Sequence, residues 1–395
     1  MVPKGWEVLH LKDVASKIQD GNYGADYPKA DEFVASGIPF LTSKVIGGIG
    51  TINPDKFDYI KEEKHQSLKK AQIVAGDILF TNRGANVGTI AIVPDYIATA
   101  NIGPQLTLVR CNDCILKEYL FQFLRGSFFQ KQIQQRDSGS AMNFFGIKDT
   151  ERFKVLVPSL SEQKRIAQIL STWDKAISVT EKLLANSQQQ KKALMQQLLT
   201  GKKRLLDENG VRFNGKWEKK LLSDVADVYQ PKTISQSMMS DSGYPVYGAN
   251  GVIGFYQEFN HETEQIAVTC RGSTCGILNW TQAKSWITGN AMVINTDNYS
   301  YVSKKFLFYT LNGSDLKYLI SGSGQPQITG NIKTHIINLP CIEEQQKIAT
   351  VLSAADAEIY TLEKKLACLR DEKKALMQQL LTGKRRVKVD EAVAE

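Results

Sequence analysis

The sequence predicts an α+β fold built twice: two strand-rich globular parts and two long helices. Three observations predict it. Lys191–Lys202 reads KKALMQQLLTGK, and Lys373–Lys384 repeats it unchanged 182 residues later. The tracts leading to these segments carry apolar residues at helical spacing and contain no proline. The stretches before the tracts are short β-prone runs broken by Gly, Asn and Asp. A repeat this long is two copies of one structural unit, so an internal pseudo-two-fold is expected.

The copies open alike, at Trp6-Glu7 with Asp13-Val14-Ala15 and at Trp217-Glu218 with Asp224-Val225-Ala226. They then diverge: Trp6 to Pro158 is 152 steps, whereas Trp217 to Pro340 is 123. The predicted division is a first domain 1–160, a central helix 161–201, and a second domain with its preceding linker 202–342. A C-terminal helix 343–384 and a tail 385–395 complete it.

Steps of four and three from Ile166 visit Leu170, Trp173, Ile177, Thr180, Leu184, Ser187, Lys191, Leu194 and Leu198. The second copy visits Ile348, Leu352, Ala355, Ile359, Leu362, Leu366, Leu369, Lys373, Leu376 and Leu380. This is a heptad seam. Ser161 is the expected cap of the first helix, and Glu343 and Glu344 supply the negative charge that a helix amino end favours. Thr200-Gly201 and Thr382-Gly383 are stop signals. About 40 residues at about 1.5 Å each give about 60 Å of helix. One single domain rarely offers so long a groove. The helices are therefore expected to pair with each other, antiparallel, as a coiled-coil shaft in a closed dumbbell. Burial of each seam against its own domain is the alternative. The polar positions Thr180, Ser187, Lys191 and Lys373 fix register or dock a third protein.

The globular parts read as two related readers. Ile73–Pro94 is a strand, turn and strand around Arg83-Gly84, and Ile266–Leu278 echoes it around Arg271-Gly272. Such a loop can follow a phosphate or set a guanidinium against a guanine edge; its plain alternative is a hairpin with a solvated Arg. Gly-Ser loops come second, with Ser138, Ser140 and Asn143 in one copy and Ser323, Gln325 and Gln327 in the other. Asn101 and Gln105 against Asn290 form a third pair; Tyr244–Tyr256, with Tyr247 and Asn250, reads as a groove-facing loop, the alternative being that its tyrosines are half-buried core. Lys44, Asn86, Ser273 and Thr274 complete the candidate DNA-contacting set.

Composition narrows the function. A hydrophobic content of 42% supports real cores, and a formal charge of +8 permits a polyanionic partner. No apolar run reaches the ~18 residues of a membrane span. The opening MVPKGWEVLHLKDV lacks a secretory layout, and a cytoplasmic protein is expected. Of six cysteines only Cys111 and Cys114 have metal-like spacing, with no second ligand pair nearby, so no metal is expected. The four histidines show no catalytic spacing. There is no phosphate-binding loop before a helix, and no adenine-methylase or S-adenosylmethionine motif. Pro54-Asp55 with Glu62 and Lys64 imitates a nuclease pattern, which leaves a metal-dependent nuclease as one alternative and a coiled-coil scaffold without a DNA role as another. Two readers without chemistry read as a specificity module for another protein's enzyme.

The sequence resembles the specificity subunits of type I restriction–modification enzymes over nearly its whole length. The resemblance rests on the Trp-Glu openings and the twin LMQQLLTGK helix ends. It rests also on the tract starts Pro158, Glu162-Gln163, Ile166 and Pro340, Glu344-Gln345, Ile348. It implies two target-recognition domains, each α+β with a double β-helix-like portion and a helical arm, each reading half of a split DNA sequence. It implies two modification (methyltransferase) subunits docked on the helices, methylating an adenine in each half-site, and a restriction subunit that translocates and cuts. S-adenosylmethionine, ATP and Mg would be used by those partners, with none bound by this chain.

Overall fold

The computed structural model describes residues 2–137, 144–322 and 326–389. The chain forms two compact units, Met1–Glu181 with Lys365–Glu395, and Lys182–Lys364. Each unit combines one globular part with the start of one long helix and the end of the other.

In the first unit the opening strand Glu7–His10 pairs antiparallel with the closing strand Lys154–Val157, Glu7 opposite Val157. This ties the ends of the globular part together where the helix begins. The main sheet orders Ala15–Asp20, Leu106–Cys111, Ile78–Thr81 and Ile90–Ile92, all antiparallel. Ile78–Thr81 is buried along its whole length. Side chains alternate across a strand, so this one feeds two cores. Ile78 and Phe80 join Tyr119, Phe123 and Phe129 from the helices Lys117–Arg125 and Ser127–Asp137. Leu79 joins Ala91, Leu108 and Ile102 beneath a second sheet. That sheet orders Phe33–Val34, Asp58–Ile60, Ile38–Leu41, Ala100–Ile102 and Gln72–Ile73, with Ile38–Leu41 parallel to Ala100–Ile102.

The second unit repeats the plan with fewer parts. Glu218–Leu221 pairs with Ile336–Leu339. The main sheet orders Asp227–Tyr229, Ala291–Asn295, Ile266–Thr269 and Leu278–Trp280. Ile266 and Val268 face the helix-side core with Phe306 and Tyr309, while Ala267 faces Tyr247, Ile287 and Val293. The second sheet has three strands, Gly251–Tyr256, Tyr244–Gly248 and Trp286–Ile287. A single helix, Lys304–Asn312, stands where the first unit has two.

The long helices are Leu160–Leu198 and Ile342–Leu380. Within the first unit Asp174 meets Lys373 at 2.5 Å and Glu181 meets Arg370 at 2.7 Å. Within the second, Ser187 meets Glu358 at 3.1 Å and Lys191 meets Asp356. In each unit the numbers rise on one helix as they fall on the other, which is antiparallel pairing. No position of the heptad walk is exposed. The ends of the seam are domain core: Ile166 and Leu170 pack with Leu376 and Leu380 in the first unit, and Leu194 and Leu198 with Ile348 and Leu352 in the second. Ser159, not Ser161, caps the central helix, its Oγ accepting from the Glu162 N–H at 3.4 Å. Gly201 and Gly383 end the helices at φ of 70° and 66°. Among the described residues no helix is long and apolar enough to cross a membrane.

Candidate nucleic-acid interface

The two Arg-Gly segments are the tips of equivalent hairpins. Ile78–Thr81 and Ile90–Ile92 flank the first, Phe80 opposite Ile90; Ile266–Thr269 and Leu278–Trp280 flank the second, Val268 opposite Leu278. Each tip is held at its root by a backbone carbonyl of the neighbouring strand region, Gln105 O accepting from Asn82 N–H at 2.9 Å and Asn290 O from Cys270 N–H at 3.3 Å. Each is also bridged to the segment after the Gly-Ser loop. Arg83 pairs with Phe144 and Arg271 with Gln327. Phe145 N–H donates to Asn82 O at 2.9 Å, as Ile328 N–H donates to Cys270 O at 3.0 Å. The fold thus sets each Arg-Gly tip against a described residue at the end of the predicted Gly-Ser segment, Phe144 in the first unit and Gln327 in the second.

The arginines differ in support. Arg83 Nε donates to Asn82 Oδ1 at 3.2 Å, and its guanidinium lies 4.5 Å over the Phe144 ring. Asn82 is itself fixed, its Nδ2 donating to Thr107 Oγ1 at 2.9 Å and to Asp20 Oδ1 at 3.3 Å. The Arg271 side chain is exposed. Asn86 and Ser273 are exposed on their tips, with Thr274 half-buried. Asn250 is exposed in the turn after Tyr244–Gly248, and Thr269 Oγ1 bonds the neighbouring Ala249 carbonyl, which draws that turn to the Arg271 hairpin. Lys44 is exposed but stands apart, paired with Asp58 at 2.7 Å. Ser138, Ser140, Asn143, Ser323 and Gln325 lie outside the described residues.

Two candidates, Asn101 and Tyr247, are corrected by burial. Asn101 is fully buried; its Oδ1 meets the His65 ring at 2.5 Å and its Nδ2 donates to Leu68 O at 3.0 Å, which leaves nothing for a nucleic acid. Tyr247 is core, its hydroxyl accepting from Gln282 N–H at 3.1 Å, because Tyr244–Tyr256 is a hairpin and not a groove-facing loop. Gln105 is half-buried, its side-chain Oε1 buried and its backbone carbonyl holding the Asn82 N–H. The nuclease-like residues do not converge: Glu62 accepts from Gln66 and Lys64 pairs with Glu32 at 3.0 Å. Among the described residues no three His, Cys, Asp or Glu side chains could hold a metal ion. Burial pushes the Cys111 thiol up to about 12, so it is a poor ligand or nucleophile.

Charged contacts that hold the frame escaped the sequence reading. Arg386 grips Glu162 with two bonds of 2.7 and 2.8 Å, and Arg204 grips Glu344 with two of 2.6 Å. The guanidiniums lie over Trp6 and Trp217, at 5.8 and 5.6 Å. Hydrogen bonding to the glutamates raises the pKa of both arginines. Gln163 caps Leu116 N–H and bonds Pro158 O, and Gln345 caps Ser303 N–H and bonds Pro340 O. The Pro-x-x-x-Glu-Gln segment is therefore a clasp: Glu takes the arginine arriving after the other helix, and Gln ties the helix start to its domain. The signal was present in the 182-residue step from Arg204 to Arg386. Burial and Arg125 lower the pKa of Lys373, which Asp174 counters.

Comparisons with known proteins place this geometry. The profile of the type I restriction modification DNA specificity domain matches residues 3–186 and 214–368. A Methanocaldococcus jannaschii protein named for the MjaX type I restriction enzyme specificity subunit is 28% identical, over 98% of this chain and 95% of its own length. The MjaVIII specificity subunit of the same organism is 26% identical over 98% and 94%. The crystal structure of the S subunit of a type I restriction-modification system from M. genitalium shares the fold, with a TM-score of 0.66 over 96% of both chains at 14% identity. A profile matched twice, once on each globular part and its helix, is what the internal repeat requires, and the chain belongs to the type I restriction modification DNA specificity family, as a specificity subunit.

Proposed function

We propose that this specificity subunit reads a bipartite DNA target, one half-site per unit. One contrast within the repeat carries the reading. The Arg–Glu clasps and one Asp–Lys pair of the helices recur in both units, whereas the second sheets have five strands and three. Two unlike readers on one constant frame suit a target with two unlike halves. The subunit performs no chemistry. It assembles with methyltransferase and restriction subunits in the cytoplasm, two modification subunits docking on the helices. Those partners use S-adenosylmethionine, ATP and Mg and methylate an adenine in each half-site. The helices set the unspecified spacer.

Sequencing of methylated bases in a host producing this chain with its modification partner tests the reading. One motif of two unlike halves around unspecified bases is expected, and a continuous motif or a palindrome refutes it. Exchanging Trp6–Pro158 for the first domain of another family member should change one half only. Four residues inserted after Ser187 add about 6 Å of helix and should widen the gap by about one or two base pairs.

A further inference from the structure

The Arg-Gly hairpins share little sequence but the same backbone turn. Asn82-Arg83-Gly84-Ala85-Asn86-Val87-Gly88 faces Cys270-Arg271-Gly272-Ser273-Thr274-Cys275-Gly276, with only the arginine and the two glycines in common. Val87 N–H donates to Gly84 O at 3.1 Å, and Cys275 N–H to Gly272 O at 3.0 Å. Gly88 N–H donates to Thr81 O at 2.9 Å, and Gly276 N–H to Thr269 O at 2.8 Å. Both first glycines have φ of 86°, and the second have 88° and 90°, values that a side chain would strain.

What the hairpins leave over is also the same. The backbone N–H groups of Ala85 and Asn86, and of Ser273 and Thr274, have no partner among the described residues. Each pair follows directly on the arginine and glycine. Ala85, Asn86 and Ser273 are exposed, and Thr274 half-buried. Consecutive unpaired N–H donors beside a guanidinium are anion-binding chemistry.

The duplication decides which anion. A contact that reads a base must change when the base changes, and the units have diverged in their second sheets. A tip kept alike in both carries no base information. The backbone phosphate is the group that is the same at every DNA step. We infer that the two Arg-Gly hairpins are a duplicated phosphate clamp, each holding one DNA backbone phosphate through its guanidinium and its two free N–H groups. The inference rests on the DNA-reading function proposed above. It assigns sequence reading to the parts that differ between the units.

The test uses the full chain assembled with its methyltransferase partner, titrated with target and unrelated duplexes over a range of salt. Arg83→Gln and Arg271→Gln should weaken both duplexes by the same factor and lower the log–log salt slope by about one each. Ala85→Pro and Ser273→Pro remove one N–H at the second turn position, where proline's φ fits, and should also weaken both duplexes equally. Exchanging 82–88 with 270–276 should leave the methylated motif unchanged. A base preference that relaxes or moves with the hairpin, or affinity unaffected in both arginine variants, overturns the clamp. Binding by the parental complex is the control that separates this failure from failure of the DNA-reading function itself.

Discussion

The two units agree in their helical frame and main sheets and disagree in their second sheets. In the frame, residues 182 apart make the same bonds: Glu162 with Arg386 and Glu344 with Arg204, Asp174 with Lys373 and Asp356 with Lys191. In the second sheets, five strands answer three, and two helices answer one. The frame also differs around its shared aspartates. Asp174 accepts from Gln122 at 2.6 Å and lies 3.3 Å from Arg125, so two cations share it. Asp356 accepts instead from the Tyr309 hydroxyl at 2.6 Å, beside the single cation Lys191. Where a contact is mechanical, the copies have kept it; where it can touch a different ligand, they have parted.

The largest effects should come from the shared frame. Leu170 and Leu352 are fully buried and related by the repeat. Truncating either to Ala should cost about 2–5 kcal/mol, and the two losses should be similar, as read by urea unfolding. A clear inequality would break the equivalence of the units. The ion pairs should then separate them. Asp174→Ala strands Lys373 and Arg125, both largely buried, and should cost about 3 kcal/mol. Asp356→Ala strands one cation, Lys191, and takes one acceptor from the Tyr309 hydroxyl; with the Asp356 side chain itself 41% exposed it should cost less, about 1 kcal/mol.

The clasps should come next. Arg204→Ala should cost about 2 kcal/mol, because Glu344 is buried and also accepts from Trp217 Nε1 at 3.2 Å. Arg386→Ala should cost about 1 kcal/mol, since that side chain is 44% exposed and screened by solvent. The smallest effect should be acid sensitivity in the second unit. Burial lowers the pKa of His261, with Lys304 adding to it, and burial alone lowers that of His335. The native state then binds fewer protons than the unfolded chain, so stability falls as pH drops below about 6.5 through the lowered values. The unfolding midpoint should be lower at pH 5.5 than at 7.5, and His335→Gln should narrow that gap.

The frame was legible because its signals are local and periodic. The repeat, the seam from Ile166 to Leu198 and the stops at Gly201 and Gly383 need only neighbours along one helix. The hairpins around Arg83 and Arg271 were legible for the same reason: strand, turn and strand lie within about twenty residues. The interface was less so. Asn101 and Tyr247 are residue types that can contact DNA, and only the strands stacked over them reveal that they are core. The capping Ser159 sits two residues from the expected Ser161, and that choice depends on where the closing strand ends.

By itself, the sequence determined that the chain is one unit written twice, that each copy ends in a long helix, and that its globular parts are cousins. Periodicity and repetition are properties of the string. Only the tertiary structure decided that each unit is assembled from its own globular part and the returning end of the other helix. The residues that close each unit, Glu162 with Arg386 and Glu344 with Arg204, stand 224 and 140 positions apart. No local rule couples positions so distant; they meet because burying both helix ends completes each domain's core, and that burial brings the charges within reach.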